Sequence, residues 1–547
     1  MIARPGKVAI FEQFEVDGIT TMFGNPGTSE EGFLDVLAQR EGMHYVFALH
    51  ETAAIAIADG YARASGRPAV VQLHAGVGLG NGIGMMYQAM RGHSPLVVIA
   101  GESGIRYDAM DARMAADLVS MARPVTKWSV RVVHPESVLR VLRRAMKIAM
   151  THPRGPVFVD LPLDLLDQST TEPAVPTTIP SQRVVPVGPE LDKAVSVLRG
   201  AEHPVIIIGD GVADSGARAE LTQVAELLGA QVWGSTDNEL NMDATHPQYA
   251  GQLGHMFGSD SQQRLQEADA VLIVGTYVFD EVFPLLDWPF RPGARIVHID
   301  LDTYEIAKNF PVNVALAADP KSTLAALAGE LAADGREHRR DHREGGHREG
   351  GHREARRTAA QLAPDAPLIE VFADELARQA PADLVVFDEA LTASPALAAY
   401  LPAQFPGGFH ATRGGSLGVG IPGAIGAKLA KPDTEVVGFT GDGGSMYTFQ
   451  SLWTAARHEI GARFVICNNR RYRILDHNID RYWSERGIPA HLYPDSFGLS
   501  HPEIDFTGLA RSLGVTAERV DKPAQAAAAI KRMLGHAGPY LIDLNTE

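Results

Sequence analysis

The sequence predicts an α/β protein with three doubly wound domains, each built around a parallel sheet. Three observations lead to this prediction. The chain has 547 residues, which is too many for one hydrophobic core. Short apolar runs rich in β-branched residues recur along it, and many end in a glycine-containing turn. Helical patterns separate these runs, as in successive βαβ units.

The first predicted domain covers residues 1–170 and includes Glu51. A helix is expected to begin within Val8–Gln13. Strands are expected at four apolar runs, which are Thr20–Phe23, Ala69–Leu73, Leu96–Ala100 and Val157–Val159. The stretch TTEPAVPTTIPSQRVVPVGPE that follows is rich in proline and threonine, so we expect a linker.

The second predicted domain covers residues 188–332. Its strand signals are Pro204–Ile208, Ala270–Val274 and Ile296–Ile299. Gly209-Asp210-Gly211 follows the first of them and predicts a strand-to-helix turn, since no matching asparagine turn accompanies it. Residues 335–357 then repeat GGHRE. Their histidine spacing would suit metal binding, but charge this dense cannot bury a core, which favours a solvated linker.

The third predicted domain covers residues 363–547. Its strand signals are Leu384–Phe387, Glu435–Phe439, Arg463–Cys467 and Tyr540–Leu544. The end of the second signal and the end of the third carry the polar residues that are most informative about function. Ligands of open α/β sheets bind at such strand ends.

Composition excludes several classes of protein. The net charge of −17 argues against a nucleic-acid partner. The single cysteine, Cys467, excludes an intramolecular disulfide framework, and its apolar surroundings indicate a buried strand residue. We see no signal-peptide pattern at the N-terminus and no apolar run long enough to span a bilayer. The sequence therefore predicts a cytoplasmic protein without a membrane partner.

A metal–diphosphate clamp is predicted where Gly441-Asp442-Gly443 is followed, 27 positions after the aspartate, by Asn469. The Asp442 carboxylate and the Asn469 amide each offer an oxygen, and magnesium shares such oxygens with phosphates. Glycines beside the aspartate let a phosphate approach backbone N–H groups at a helix start. A GDG tripeptide alone is common in turns, so the paired asparagines carry the prediction.

The run GDGGSMYTFQSLWTAARHEIGARFVICNN resembles the motif of the thiamine-diphosphate-dependent decarboxylase and carboligase superfamily. The resemblance implies two cofactors, thiamine diphosphate and Mg²⁺. It assigns the metal to Asp442, Asn469 and the backbone carbonyl of Arg471. The resemblance also implies diphosphate contacts from the turn itself, namely Gly443, Gly444 and Ser445.

Two further stretches resemble parts of the same superfamily. HETAA followed by ADGYA resembles the helix with the activating glutamate, which makes Glu51 catalytic and cofactor-binding. The alternative is an acid that stabilises a helix N-terminus. GGSLGVGIP resembles the loop beneath the cofactor, with the Gly415 carbonyl accepting from the 4′-amino group and Leu417 as the apolar support. A glycine-rich helix entry with a core leucine is the alternative there.

The general run of the chain is most similar to benzoylformate decarboxylases and also similar to acetolactate synthase large subunits. FGNPGTSE, QLHAGVGLGN and HSPL carry the first similarity. They imply that the Thr28 hydroxyl binds the substrate carboxylate and that His74 transfers protons, a role suited to imidazole. The chain departs from the pattern in GTYVFDEVF, which lacks the second histidine; His255, in LGHMFG, lies in a nearby loop.

A second departure is the segment after the clamp, which is longer and more polar than the resemblance implies. It contributes His477, Tyr482 and Trp483, which could alter or cover the pocket.

These features together predict an enzyme that decarboxylates a small 2-oxo acid, aromatic or branched, to an aldehyde. The nearest alternative is a carboligase of the acetolactate-synthase or acyloin-forming type, and the missing histidine favours it. A flavin-dependent oxidase and a non-catalytic cofactor-binding protein are further alternatives. The resemblance implies a homodimer or homotetramer with active sites between chains.

Overall fold

The computed structural model describes residues 3–235, 239, 241–277, 279, 281–333, 362–363, 365–401 and 407–546. The predicted linker 335–357 lies outside these residues. The chain divides into two compact units. The first consists of Met1–Pro180, Pro364–Leu401 and Thr412–Glu547, and the second of Ser181–Ala363 and Pro402–Ala411. The first unit therefore combines most of two predicted domains, whose exact boundaries stay predictions.

The first sheet has six parallel strands in the order β3-β2-β4-β5-β7-β6. The strands of this region are β1 (Arg4–Pro5), β2 (Thr21–Gly24), β3 (His44–Phe47), β4 (Ala69–His74), β5 (Leu96–Glu102), β6 (Trp128–Arg131), β7 (Val157–Pro162) and β8 (Ser169–Thr170). β1 and β8 form a separate antiparallel pair. The helices are Gly6–Val16, Glu31–Ala38, Glu51–Ser65, Ala75–Arg91, Leu118–Ala122, Val138–Met150 and Leu163–Asp167.

The second unit contains a six-stranded parallel sheet in the order β11-β10-β9-β12-β13-β14. Its strands are β9 (Pro204–Ile208), β10 (Gln231–Gly234), β11 (Tyr249–Gln252), β12 (Ala270–Val274), β13 (Arg295–Asp300) and β14 (Val314–Ala317). Its helices are Gly188–Arg199, Asp210–Ser215, Arg218–Leu228, Gly258–Leu265 and Pro320–Ala332. The predicted turn after β9 is confirmed, because Gly209 caps the helix that begins at Asp210.

The third sheet has the order β16-β15-β17-β18-β20-β19, and the ladders from β15 to β19 are parallel. Its strands are β15 (Val385–Glu389), β16 (Phe409–Ala411), β17 (Val436–Gly441), β18 (Arg463–Asn468), β19 (Thr516–Val520) and β20 (Tyr540–Asn545). The helices are Leu368–Gln379, Ser394–Tyr400, Gly420–Ala430, Asp442–Ser445, Ser451–Arg457, Arg473–Arg486, Phe506–Ser512 and Pro523–Gly535. Three parallel sheets with flanking helices confirm the predicted fold class.

Helices Glu51–Ser65 and Gly420–Ala430 join the first and third sheets within the first unit. A Cβ on Gly60 would lie 2.7 Å from the Cα of Gly423, so the two backbones meet where neither residue has a side chain. Both helices begin at stretches to which the sequence assigns cofactor contacts. None of the helices in the described ranges is long and apolar enough to cross a membrane.

Candidate active site

Polar residues gather at the carboxyl ends of the central strands of the first and third sheets. In the first sheet β4 ends at His74 and β2 leads into the loop Gly24–Glu30. In the third, β17 ends at Gly441 and β18 at Asn468. In a parallel sheet these ends share one edge, where ligands of such folds bind.

Glu51 is the first residue of its helix and is only 6% exposed. Its Oε1 accepts from Asn25 Nδ2 at 3.2 Å and its Oε2 from Asn81 Nδ2 at 3.0 Å. A Cβ on Gly78 would lie 3.0 Å from Oε1, so a small residue is needed there. Two amides, one from the loop after β2 and one from helix Ala75–Arg91, thus hold the carboxylate in place, which helix capping alone would not require.

His74 is fixed by the same loop that supplies Asn25. Its Nδ1 lies 3.0 Å from Glu30 Oε2 and 3.0 Å from Ser29 Oγ. Glu30 is buried, and its other oxygen accepts from the Ser29 hydroxyl at 2.6 Å and from the Gly101 N–H at 3.0 Å. Burial raises the pKa of the Glu30 carboxyl, although the hydrogen bonds from Ser29 and His74 oppose that rise.

Thr28, by contrast, lies exposed in the one-turn helix that precedes Glu31. No hydrogen bond of its hydroxyl is found among the described residues, so the histidine is held by its neighbour Ser29 instead. A Cβ on Gly27 would lie 2.7 Å from the His74 Cβ, and this explains why the loop needs glycine where it crosses the histidine.

Asp442 begins the short helix after β17 and is 3% exposed. Its Oδ1 accepts the Gly443 N–H at 2.9 Å, while Oδ2 is buried and has no partner within the described part of the chain. Burial raises the pKa of Asp442 to about 6, opposed by N–H groups of Gly443, Arg470 and Arg471. A buried carboxylate oxygen without a donor is what a cation ligand requires.

The loop after β18 completes the clamp. Asn469 Oδ1 accepts the Arg471 N–H at 3.1 Å, and the Arg471 carbonyl accepts the Arg473 N–H at 2.9 Å. Each oxygen keeps a second lone pair for a ligand. Ser445 Oγ donates to the Asp442 carbonyl at 2.7 Å. No group of three or more His, Cys, Asp or Glu that could hold a metal occurs among the described residues, so the predicted set depends on one carboxylate, one amide and one carbonyl.

The glycines of the clamp allow close approach. A Cβ on Gly443 would lie 2.7 Å from Tyr472 Cζ, and one on Gly444 would lie 3.1 Å from Glu389 Oε1. The short helix therefore packs against both a tyrosine and a buried carboxyl. All four residues of this helix are buried, and the Gly443 N–H donates to the Asp442 side chain.

Gly415 and Leu417 lie in the loop before helix Gly420–Ala430. Gly415 is exposed with φ +73°, and Leu417 is partly buried. The Ser416 N–H between them donates to Gln88 Oε1 at 3.2 Å, which fixes the loop to helix Ala75–Arg91 of the first sheet. Partial exposure of Leu417 fits a residue that lines a site better than a core leucine.

The predicted residues lie at the strand ends of two sheets, Glu51 and His74 on the first and Asp442 and Asn469 on the third. In the described ranges no hydrogen bond or ion pair joins Glu51 or His74 to Asp442 or Asn469. The predicted residues thus form two half-sites, one on the first sheet and one on the third.

The segment after the clamp folds back on itself. The Trp483 ring is buried against His491, with ring centroids 4.4 Å apart, and stacks with Tyr493 at 5.7 Å. The Arg471 guanidinium lies 5.3 Å from the Tyr493 ring and pairs with Asp476 at 2.8 Å. Trp483 is therefore the core of this segment, whereas His477 and Tyr482 are exposed.

In the second unit the segment without the second histidine contacts the loop of His255. The Val282 N–H donates to the His255 carbonyl at 3.3 Å, and the rings of Phe257 and Phe283 stack with centroids 5.3 Å apart. Val282 and Phe283 are more than half exposed. His255 and this apolar pair therefore occupy one surface of the second unit.

Comparison with known proteins decides the family. Family models of the thiamine pyrophosphate enzymes match the N-terminal TPP binding domain at residues 5–121, the central domain at 191–327 and the C-terminal TPP binding domain at 392–544. A benzoylformate decarboxylase from Pseudomonas aeruginosa is 31% identical over 98% of each chain. The chain belongs to the thiamine pyrophosphate enzyme family. Thiamine pyrophosphate and thiamine diphosphate are the same compound.

Other members of the family are similar over nearly the whole chain. A probable acetolactate synthase large subunit from Methanocaldococcus jannaschii is 29% identical over 98% of this chain and 91% of its own. The thiamine diphosphate-dependent 4-hydroxybenzoylformate decarboxylase of Rhodococcus jostii RHA1 superposes with a TM-score of 0.88 at 28% identity, covering 100% of this chain and 99% of its own. The family therefore includes both decarboxylase and carboligase relatives of this thiamine pyrophosphate enzyme.

Several residues of the site were not singled out from the sequence. Asn25, Ser29, Glu30 and Asn81 lie inside the stretches that carried the family resemblance, yet their partners are on other strands or helices. Such contacts depend on which strands lie side by side, and one sequence does not reveal that order.

Proposed function

We propose that this protein is a thiamine-diphosphate- and Mg²⁺-dependent decarboxylase that converts a 2-oxo acid to an aldehyde. One observation supports this most strongly. A single loop holds both candidate catalytic groups, since Asn25 donates to Glu51 while Ser29 and Glu30 contact His74. An activating carboxylate and a proton-transferring imidazole are thereby fixed relative to each other.

The cofactor is assigned to residues of the third sheet together with Glu51. The orphaned Asp442 Oδ2, the Asn469 amide and the Arg471 carbonyl would hold Mg²⁺. The diphosphate would be bound by the helix-start residues Gly443, Gly444 and Ser445. Gly415 and Leu417 would contact the thiamine rings. When bound, thiamine diphosphate supplies a carbon nucleophile and accepts the electron pair released with carbon dioxide.

The side chains of the first sheet would manage the protons. Glu51 would hydrogen-bond the pyrimidine ring, which its buried, amide-held carboxylate is placed to do. His74 would deliver the proton that completes the aldehyde, with Glu30 holding Nδ1 so that Nε2 faces the reaction. The exposed hydroxyl of Thr28 would bind the substrate carboxylate.

The family resemblance supports an assembly in which Glu51 of one copy meets the clamp of another. We propose at least a homodimer, and a homotetramer as the alternative. We also propose a cytoplasmic location.

An aromatic or branched 2-oxo acid is the proposed substrate class. Two relatives, a benzoylformate decarboxylase and a 4-hydroxybenzoylformate decarboxylase, support an aromatic acid.

A carboligase is the second candidate. The absence of histidine from Gly275–Phe283 favours it, because a poor proton supply leaves the nucleophilic carbon free to attack a second carbonyl. Acetolactate synthase large subunits among the relatives support it as well. Within the second unit the His255 carbonyl contacts the Val282 N–H, and His255 is the proposed replacement for the missing histidine.

Product analysis separates the two. The protein, loaded with thiamine diphosphate and Mg²⁺, is incubated with benzoylformate, a branched 2-oxo acid or pyruvate, each with and without an acceptor aldehyde. The free aldehyde as the main product supports decarboxylation even when acceptor is present. A hydroxyketone or acetolactate as the main product supports ligation and contradicts the first proposal.

A further inference from the structure

Glu389 is a buried carboxyl at the end of β15 that no sequence motif assigned. It is 2% exposed and lies beside both the Gly414–Gly420 loop and the end of β17. Its Oε1 accepts the Gly418 N–H, and its Oε2 accepts the Gly420 N–H at 2.6 Å and the Thr440 hydroxyl at 3.1 Å. Three donors from two segments therefore meet on one side chain.

The Gly418 peptide is held from its other side as well. Its carbonyl accepts from Thr448 Oγ1 at 2.7 Å, and Thr448 follows the clamp helix Asp442–Ser445. Gly418 has φ +91°, and a Cβ there would lie 2.6 Å from the Tyr447 Cβ. The loop can pass between Glu389 and Thr448 only with glycine at this position.

Glu389 also acts at the start of helix Gly420–Ala430, whose first N–H groups have no partners within the helix. Val419 caps this helix without a side-chain hydrogen bond of its own, so a carboxyl from another strand takes that place. Among the influences on its pKa, burial is the largest and raises it to about 7, while the Gly420 and Gly418 N–H groups lower it. Backbone N–H groups and the Thr440 hydroxyl thus favour its charged form.

We infer that Glu389 is a positioning residue for the cofactor. It fixes the Leu417 loop relative to the clamp helix Asp442–Ser445. The thiamine rings and the diphosphate would therefore be bound at the correct distance from each other. The geometry behind this is direct, because Glu389 contacts the loop at Gly418 and Gly420 and the clamp side at Thr440, and a Cβ on Gly444 would lie 3.1 Å from its Oε1. The inference rests on the proposed function, which assigns the thiamine rings to this loop.

Calorimetric titration with Mg²⁺ present tests the inference, using thiamine diphosphate and inorganic pyrophosphate as separate ligands. The variants are Glu389→Gln, Leu417→Ala and the double variant. Glu389→Gln keeps the volume of the side chain. It places the amide NH₂ group, which is a donor, against the N–H of Gly418 or Gly420. Asp160→Asn is the matched control, since Asp160 is an equally buried carboxyl in β7 of the first sheet.

We expect Glu389→Gln to weaken thiamine diphosphate binding about tenfold or more, as loss of groups that orient ligands does. Pyrophosphate binding should change less than about threefold, because the clamp helix itself is intact. Since Glu389 acts through the loop, the double variant should bind no more weakly than the weaker single variant. Asp160→Asn should bind both ligands like the wild type.

Three results would overturn the inference: wild-type affinity of Glu389→Gln for thiamine diphosphate, an equal loss for pyrophosphate, or additive losses in the double variant. If Glu389→Gln does not fold, Thr448→Val takes its place. It should bind thiamine diphosphate less tightly than the wild type, by a smaller factor than expected for Glu389→Gln, and should again affect pyrophosphate less. Wild-type affinity of Thr448→Val for thiamine diphosphate would overturn the inference.

Leu417→Ala separates this inference from the proposed function. If that variant binds normally, the loop assignment in the proposed function fails and the inference with it; if it alone is weakened, only the inference fails.

Discussion

His74 Nδ1 lies 3.0 Å from Oε2 of the buried Glu30. A carboxylate bound at Nδ1 favours the tautomer in which Nδ1 carries the proton and Nε2 is the acceptor. Ser29 and the Gly101 N–H hold the glutamate in turn. This arrangement is consistent with the proton-transferring role proposed above for His74.

Glu30→Gln should lower kcat for 2-oxo acid decarboxylation about tenfold to a hundredfold, the range for positioned general acids and bases. The neutral amide of the variant binds the His74 imidazole more weakly than the carboxylate does. His74 would therefore deliver its proton to the reaction less often. Steady-state kinetics check this. Glu31→Gln is the control, because Glu31 is the exposed neighbour in sequence, and it should keep wild-type kcat. Unchanged kcat in Glu30→Gln would show that the pair is only structural.

Asp442→Asn should weaken Mg²⁺-dependent binding of thiamine diphosphate by at least about tenfold. The amide leaves the position of the unpartnered Oδ2 without a negative charge. Thermal denaturation with and without thiamine diphosphate and Mg²⁺ checks it, since a ligand at about 100 times its Kd stabilises a protein by about 2.7 kcal/mol. The exposed Asp433→Asn is the control and should keep the full shift. A full shift in Asp442→Asn as well would place the metal elsewhere.

Gly60→Ala should destabilise the first unit by about 1–3 kcal/mol, the cost of overpacking. The new methyl group would meet the backbone of Gly423 in the helix that follows the Leu417 loop. Chemical denaturation measures the change. Gly535→Ala has no neighbour within 4 Å of the added methyl group and should stay within about 1 kcal/mol of the wild type. Equal stabilities of the two variants would contradict the close helix contact.

His298 should make the second unit less stable at acid pH. Burial lowers its pKa from 6.5 to about 4, while its Nε2 contacts the Thr276 carbonyl at 2.7 Å. Between those pH values the unfolded state binds more protons, so the unfolding free energy falls as the pH falls from 7 toward 4. The loss from pH 7 to pH 5 is about 2 kcal/mol from the pKa difference.

The matched variant for this prediction is His298→Gln, which cannot be protonated. The pH dependence of the wild type by itself also contains a contribution from Asp300. Burial raises the pKa of Asp300 to about 7, so its contribution to the unfolding free energy changes with pH in the opposite direction. That contribution is common to both proteins and cancels in their difference. The difference in unfolding free energy, measured by urea denaturation, should therefore shift by about 2 kcal/mol between pH 7 and pH 5. A constant difference would contradict the assignment.

The sequence predicts the central strands well because they are buried on both faces and therefore read as continuous apolar runs. β5 and β7 are of this kind, with every residue buried. The edge strands were not predicted. β3 and β6 have partly exposed, mixed sequences, and their pairing depends on neighbours far away in the chain.

The candidate site divides in the same way. Asp442 and Asn469 could be predicted because fixed spacing and a helix–strand unit carry the pattern. Glu30 and Glu389 could not be predicted, because the role of a buried carboxyl depends on hydrogen-bond donors from segments far away in the sequence.

Aldehyde release by the wild type and by Glu51→Gln tests the central claim most directly. Both proteins are loaded with thiamine diphosphate and Mg²⁺ and given benzoylformate, a branched 2-oxo acid or pyruvate, and aldehyde and carbon dioxide are quantified. We predict equal amounts of the two products from the wild type with at least one substrate, none without thiamine diphosphate, and a kcat lowered at least about a hundredfold in Glu51→Gln. Turnover that survives in Glu51→Gln, or no turnover of any of these acids by the loaded wild type, would contradict the account.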